Sequence, residues 1–394
     1  MKKEKTDELK LCAKIIHEHL KTNIRHDRNF LPPPFIIEIA GHPSSGKSTI
    51  IGKLDTSLRR LGFKVGLVQE GAQRIRNIDR SNPSYNRATA LYSLHQLYEY
   101  RANTSLDIVI FERCVFDACN WPPYWWQKQK LTNQERINLQ NYYLMDADKI
   151  DVAFFVVCDP ILAVERESKV LSINQESGGT TNPATIALLK SIFEGSYQNL
   201  RDEFSQLHLI DTTHLTEQEM VDSVTEMILK KLAEKSISML IKDAHDKKEY
   251  RPVSVAVITN TEGKILFVQS AKNSKEWYLP QGGIESTETG TQALYRELEE
   301  EVGVLPEQLG NVIYFGSEDL KSEISRTDKR GFKLGKRYLV FSVKYNGPSD
   351  ISINKKEISD YIWVNPENVA EILSTSREDK ANLIKKFINT QNNS

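Results

Sequence analysis

The chain has 394 residues, enough for two or three domains at about 150 residues each. Its 52 Lys and Arg against 53 Asp and Glu leave a formal net charge of −1, which excludes a general electrostatic attraction to nucleic acid or to a membrane, although local patches can still act. No apolar run of ~18 residues exists, no apolar signal core follows MKKEKTDELK, and Cys12, Cys114, Cys119 and Cys158 show neither metal-ligand pairing nor a disulfide framework, so a cytoplasmic protein with reduced thiols and no membrane contact is expected.

Residues 1–34 read as a helical extension. Leu9, Leu11, Ile15, Ile16 and Leu20 recur at helical spacing, and Pro32-Pro33-Pro34 ends the helix. Short apolar runs then alternate with helical stretches. FIIEIA (35–40), FKVGLV (63–68), IVIF (108–111), VAFFVV (152–157) and LHLI (207–210) read as strands buried on both faces. That rhythm predicts an α/β domain over 35–240 with a doubly wound parallel sheet. Thr216 with Glu219 forms a capping box for a helix striped by Met220, Val224, Ile228 and Leu232, and no Pro or Gly interrupts 216–250. The polar run KDAHDKKE (242–249) marks a boundary. Over 241–394 the strands 254–259, 265–269, 311–315, 337–343 and 361–364, with helices at about 289–303 and 376–389, predict a second domain of α+β class.

GHPSSGKS at 41–48 fits the Walker A pattern, with Gly41, Gly46, Lys47 and Ser48 at the required spacing between a strand and a helix. Glycines let the backbone wrap phosphate oxygens. Lys47 would neutralise β- and γ-phosphates, Ser48 would ligate Mg²⁺, and Ser44, Ser45 and Thr49 complete the expected ATP contacts. On these residues the N-terminal half resembles the P-loop nucleoside and nucleotide kinases, the deoxynucleoside kinase and thymidylate kinase group. The resemblance implies ATP-dependent phosphotransfer to a nucleoside or nucleotide. It also implies that Glu70 lies near the acceptor hydroxyl, that Glu112 and Arg113 form the carboxylate–arginine pair beside Mg²⁺ and phosphate, and that Arg166 is a lid arginine, with Lys169 one turn later. WPPYWW (121–126) reads as an acceptor-pocket wall, a partner interface or a core cluster.

In GGIESTETGTQALYRELEEEVGV (282–304), Glu297, Glu300 and Glu301 stand at i, i+3 and i+4 and share one helix face, while Leu294, Leu298 and Val302 lie on another side. Four glutamates in five residues repel one another unless a hard divalent cation, Mg²⁺ or Mn²⁺, neutralises them. Arg296 can hold a carboxylate through its fork of donors. The segment fits the Nudix box, from Gly282 and Glu288 through Arg296, Glu297 and Glu301 to Gly303. Residues 249–390 resemble its RNA pyrophosphohydrolase and dinucleoside polyphosphate hydrolase branch. The family has Gly where Thr287 stands. The branch implies hydrolysis of a pyrophosphate bond in a 5′-polyphosphate, an RNA 5′ end or a dinucleoside polyphosphate, with Glu357 as a candidate general base and Glu300 and Glu301 as catalytic carboxylates. The basic run Arg326, Lys329, Arg330, Lys333, Lys336 and Arg337 reads either as a steering patch for such a substrate or as a solvated loop.

The leading expectation is therefore a bifunctional nucleotide enzyme. A Nudix hydrolase regulated by a non-catalytic ATP-binding domain, and a nucleotide-sensing signalling or defence protein, stand as alternatives. The acceptor and the oligomeric state, homo-oligomer included, stay open.

Overall fold

The computed structural model describes residues 34–71, 74–170, 182–321 and 329–392. The expected N-terminal helix, the turn-rich segment at 171–181 and Arg326 lie outside the described residues. Among the described residues the chain divides into two compact units, one through Lys231 and one from Leu232. No helix among them is long and apolar enough to cross a membrane.

The first unit is built on an all-parallel sheet of β1 (Phe35–Gly41), β2 (Val65–Val68), β3 (Ile108–Glu112), β4 (Val152–Val157) and β5 (Leu207–Asp211), in the spatial order β2-β3-β1-β4-β5. β1 and β4 are buried along their whole length, which is why their sequences run apolar without alternation. The connecting helices are α1 (Lys47–Arg60), α2 (Pro83–Arg101), the single turn α3 (Val115–Ala118), α4 (Trp121–Gln127), α5 (Asn133–Leu144), α6 (Pro160–Val170) and α7 (Pro183–Leu200). Leu94 and Leu97 of α2, Phe193 of α7 and Phe111 and Phe155 of the sheet share one core. In a parallel sheet every strand ends at the same edge, so the loops after β1, β2, β3 and β4 gather there.

α8 (Glu217–Lys247) opens on the expected box, with Thr216 Oγ1 donating to Glu219 Oε2 at 2.8 Å. Its C-terminal half belongs to the second unit, because Ile237, Leu240 and Ile241 are buried in that unit's core. The second unit thus begins nearer Leu232 than 241.

The second sheet runs β10 (Leu309–Lys321), β11 (Gly335–Tyr345), β6 (Tyr250–Thr259), β7 (Ile265–Ser270) and β12 (Ile358–Val364) in space, with β8 (Asn273–Tyr278) on β7 and β9 (Gln281–Gly283) on β6. β6 and β11 pair parallel, and the remaining pairs are antiparallel. One face is covered by α9 (Gly290–Val302) through Leu294, Leu298 and Val302, as the spacing predicted. After the short α10 (Val369–Ile372), α11 (Glu378–Asn392) buries Leu383, Ile384, Phe387 and Ile388 in the other core.

Candidate active site

The acidic helix of the second unit is placed by its ends. Thr289 Oγ1 accepts from Gln292 N at 3.1 Å while Gln292 Oε1 accepts from Thr289 N at 2.9 Å. At the other end Gly303 takes the left-handed conformation, φ 63°. The side facing the sheet is apolar except for Glu301, which is only 6% exposed. Its carboxylate accepts one weak bond, from Gln281 N at 3.3 Å on β9. Burial, then the charge of Glu297, raises its pKa to about 8, with Glu357 and Glu300 adding to the repulsion. Burial also raises Glu297, and Glu300 and Glu357 push in the same direction. Glu357 is exposed, in the turn before β12, where Ala271 N donates to its carbonyl at 2.8 Å. The loop before it is tied to α9 through Asn354 N to Glu301 O, 2.9 Å.

Arg296 organises this face. It grips Glu288 with two donors, at 2.6 and 2.9 Å, reaches Glu297 at 2.6 Å and Glu300 at 3.3 Å, and donates to Gly283 O at 2.9 Å. The hydrogen bonds from Arg296 hold Glu288 below the usual carboxylate range. Gly282 is required by contact: a Cβ there would lie 1.6 Å from Glu297 Cδ. Thr287 is not among the residues with positive φ, so the loop needs no glycine at that position.

The donor set is chemically suited to a hard divalent cation. Three carboxylates destabilise one another's charge, and a buried one is driven toward holding a proton. The side chains are not pre-gathered as a closed cage: among the described residues no three His, Cys, Asp or Glu converge as ligands. Arg296 holds part of the set instead. Two members of the basic run are paired: Arg337 on Asp319 at 2.8 and 2.9 Å and on Asp243 at 3.2 Å, and Arg330 on Glu285 at 2.8 Å.

The first unit brings its nominated residues to the carboxyl edge of the parallel sheet. Gly41 ends β1 so close to β4 that a Cβ would lie 2.0 Å from Val156 O. Lys47 is buried; its Nζ donates to His42 O at 2.7 Å, and burial lowers its pKa to about 8. Among the described residues no carboxylate lies within ion-pair distance of this buried ammonium, and Glu112, Glu70 and Asp117 only partly offset its burial, so it suits a polyphosphate. Ser45 Oγ is likewise buried with no hydrogen-bond partner, and Thr49 follows on α1. Ser48 Oγ lies 3.4 Å from Glu112 Oε1, so the two nominated Mg²⁺ contacts are neighbours. Glu70 lies 3.3 Å from Arg113 Nε, and the Arg113 charge lowers its pKa. Arg166 is held on Thr212, at 3.0 Å to its Oγ1, and Thr212 Oγ1 donates to Ser45 O at 2.8 Å. Ser44 Oγ donates to Glu167 on the same helix. Lys169 is exposed.

Three residues at or beneath this edge escaped the sequence reading. Glu38, in the middle of β1, accepts from Cys114 N, Phe116 N and Asp117 N at 2.8, 3.0 and 2.8 Å. Asp117 pairs with Arg113 at 2.7 Å and accepts from Trp121 Nε1 at 2.9 Å. His42 Nε2 accepts from Cys158 N at 2.9 Å, so Nδ1 carries the proton toward Pro43 O.

Residues 249–387 match the NUDIX domain model. An RNA pyrophosphohydrolase from Erythrobacter litoralis is 32% identical over 153 residues, which cover 36% of this chain and 93% of the relative. The chain belongs to the Nudix family. A second similar Nudix relative, an RNA pyrophosphohydrolase from Francisella tularensis subsp. mediasiatica, is 31% identical over 126 residues, covering 30% of this chain and 80% of the relative. Among solved structures, the E. coli dihydroneopterin triphosphate pyrophosphohydrolase aligns with a TM-score of 0.30 at 22% identity, covering 36% of this chain and 97% of that chain. These matches concern the Nudix region.

Proposed function

We propose that the Nudix unit hydrolyses a pyrophosphate bond in a 5′-polyphosphate, with RNA 5′ ends as preferred substrate and dinucleoside polyphosphates next. The observation that carries the reading is the mutual repulsion of Glu297, Glu301 and Glu357 beside a Gly282 that leaves room for the Glu297 carboxylate. Two relatives carrying the name RNA pyrophosphohydrolase support the order of substrates. Glu297, Glu300 and Glu301 would hold Mg²⁺ or Mn²⁺, which when bound supplies charge neutralisation and a more acidic water. Arg296 keeps Glu297 and Glu300 oriented. The Glu357 carboxylate takes the proton of the water that attacks phosphorus as the P–O anhydride bond breaks. Purified protein would be offered triphosphorylated RNA, dinucleoside polyphosphates, free nucleoside triphosphates and nucleotide sugars, with products read by mass. Far faster cleavage of either of the last two classes would overturn the substrate order while leaving the hydrolase.

A second reading concerns the first unit, and the cluster of Lys47, Ser48, Glu112, Glu70 and Arg113 at one sheet edge favours it. Lys47 with the loop amides would bind the phosphates of ATP, Ser48 and Glu112 would hold Mg²⁺, and Glu70 would act on an acceptor hydroxyl, making the protein bifunctional. ATP binding without transfer to nucleosides or nucleotides would favour a regulatory nucleotide-binding unit instead.

A further inference from the structure

WPPYWW divides its side chains between two jobs. Tyr124 and Trp125 are buried against Leu189 and Ile192, a core role. Trp126 is 44% exposed. A cation lies near each ring of the segment: Arg113 at 5.9 Å from Trp121, Lys128 at 5.8 Å from Tyr124, Lys130 at 5.2 Å from Trp125 and Arg136 at 5.3 Å from Trp126. Energetically significant pairs of this kind occur about once per 70–80 residues, so four on one hexapeptide is a concentration. The surrounding charge has the same sign. Residues 74–101 hold five Lys or Arg against two Asp or Glu, and 121–144 hold three against one, in a chain whose net charge is −1.

Arg113 is neutralised by Glu70 and Asp117, whereas Arg136 and Lys130 are held by neutral acceptors. The Arg136 guanidinium donates to Asn133 Oδ1 at 3.0 and 2.8 Å and to Gln140 Oε1 at 2.9 Å, all neutral acceptors. Lys130 Nζ donates to a backbone carbonyl, Ser81 O, at 2.5 Å. Among the described residues no carboxylate comes within ion-pair distance of Lys128, Lys130 or Arg136. An exposed ring beside a guanidinium held only by neutral acceptors matches a nucleotide of a flexible strand, whose base stacks while its phosphate is neutralised. A duplex keeps its base faces stacked and offers phosphates, 2′-hydroxyls and groove edges, none of which stacks on a ring.

We infer that the surface at the exposed Trp126 and Arg136, with Lys128 and Lys130 in the connection between α4 and α5, binds single-stranded RNA. The choice of RNA over DNA rests on the 5′-polyphosphate reading of the Nudix unit; the stacking and charge arguments do not. The probe is a 5′-hydroxyl oligouridine of about 12 nucleotides, followed by anisotropy with the full chain. It carries no 5′-polyphosphate, so failure to bind it and failure of the hydrolase reading are separate events. Trp126→Ala should weaken binding about tenfold and Trp126→Phe should restore most of it. Arg136→Gln should lower the dependence of log affinity on log salt by about 0.7. Hydrolysis of a dinucleoside tetraphosphate should be unchanged in all three variants. Unchanged affinity in Trp126→Ala overturns the inference. So do equal affinity for double-stranded RNA, tighter binding of oligodeoxyuridine, and displacement of the RNA by polyglutamate at equal charge, which would mark an acidic protein as the partner.

Discussion

Glu38 puts a carboxylate where the strand pattern leaves room only for apolar side chains. Three amide donors hold it, yet burial outweighs them and raises its pKa from 4.5 to about 7. The folded chain therefore keeps a proton there that the unfolded chain releases above about pH 4.5. The stability linked to it is full below about 4.5 and is lost as the pH rises through about 7. Glu38→Gln carries no titrating proton, so it should flatten that part of the stability curve, measured as denaturant midpoints between about pH 5 and 8. An unaltered slope would assign the pH dependence to other groups. In the Nudix unit two glutamates should separate by role. Glu301→Gln removes a charged oxygen from the face that would hold the cation and should cost several powers of ten in hydrolysis. Glu357→Gln should cost about 10² to 10⁴ with Mn²⁺ affinity retained, since a general base is lost and the helix face is untouched. Calorimetric Mn²⁺ titration of both variants distinguishes them; equal loss of metal binding would make Glu357 a ligand.

At the scale of elements, β9 and α9 meet through one missing side chain. A methyl at 282 would occupy the Glu297 carboxyl, so Gly282→Ala must move Glu297 and with it the Arg296 network. Apparent metal affinity should fall at least about 10–100-fold, because a carboxylate that would hold the cation and the arginine that orients it both move. The thermal midpoint should move by only a few degrees, because the core residues Leu294, Leu298 and Val302 stay in place. A large melting shift with normal metal affinity would contradict this. The contrast shows what can be read from the sequence. The extent of α9, its buried stripe and its acidic face follow from local spacing, and the five strands of the first sheet follow from apolar runs. β8 (NSKEWY) and β9 (QGG) were not legible, because they are held by pairing to β7 and β6 and have no periodicity of their own. Asp117 gave no signal either: it gains meaning only when folding sets it 2.7 Å from Arg113. The basic run, read either as a steering patch or as a solvated loop, shows what charge counting leaves out. Charge alone counts Arg337 as a steering group, whereas β10 and α8 supply the carboxylates that neutralise it.

For the whole molecule, the two units have separate cores and separately nominated chemistry. Lys47→Ala should abolish ATP binding and any phosphotransfer while hydrolysis of a 5′-polyphosphate stays largely intact, measured side by side on one preparation. Equal loss of both in a folded variant would show obligatory coupling. The division within α8 has a practical consequence for anyone cutting the chain. The NUDIX match starts at 249, but Ile237, Leu240 and Ile241, none more than 6% exposed, are part of the same hydrophobic packing. A fragment trimmed to the matched region would leave a greasy trench on one side of its sheet, and such surfaces drive aggregation. A fragment beginning at Leu232 carries its own cover and should remain monodisperse where the shorter one precipitates.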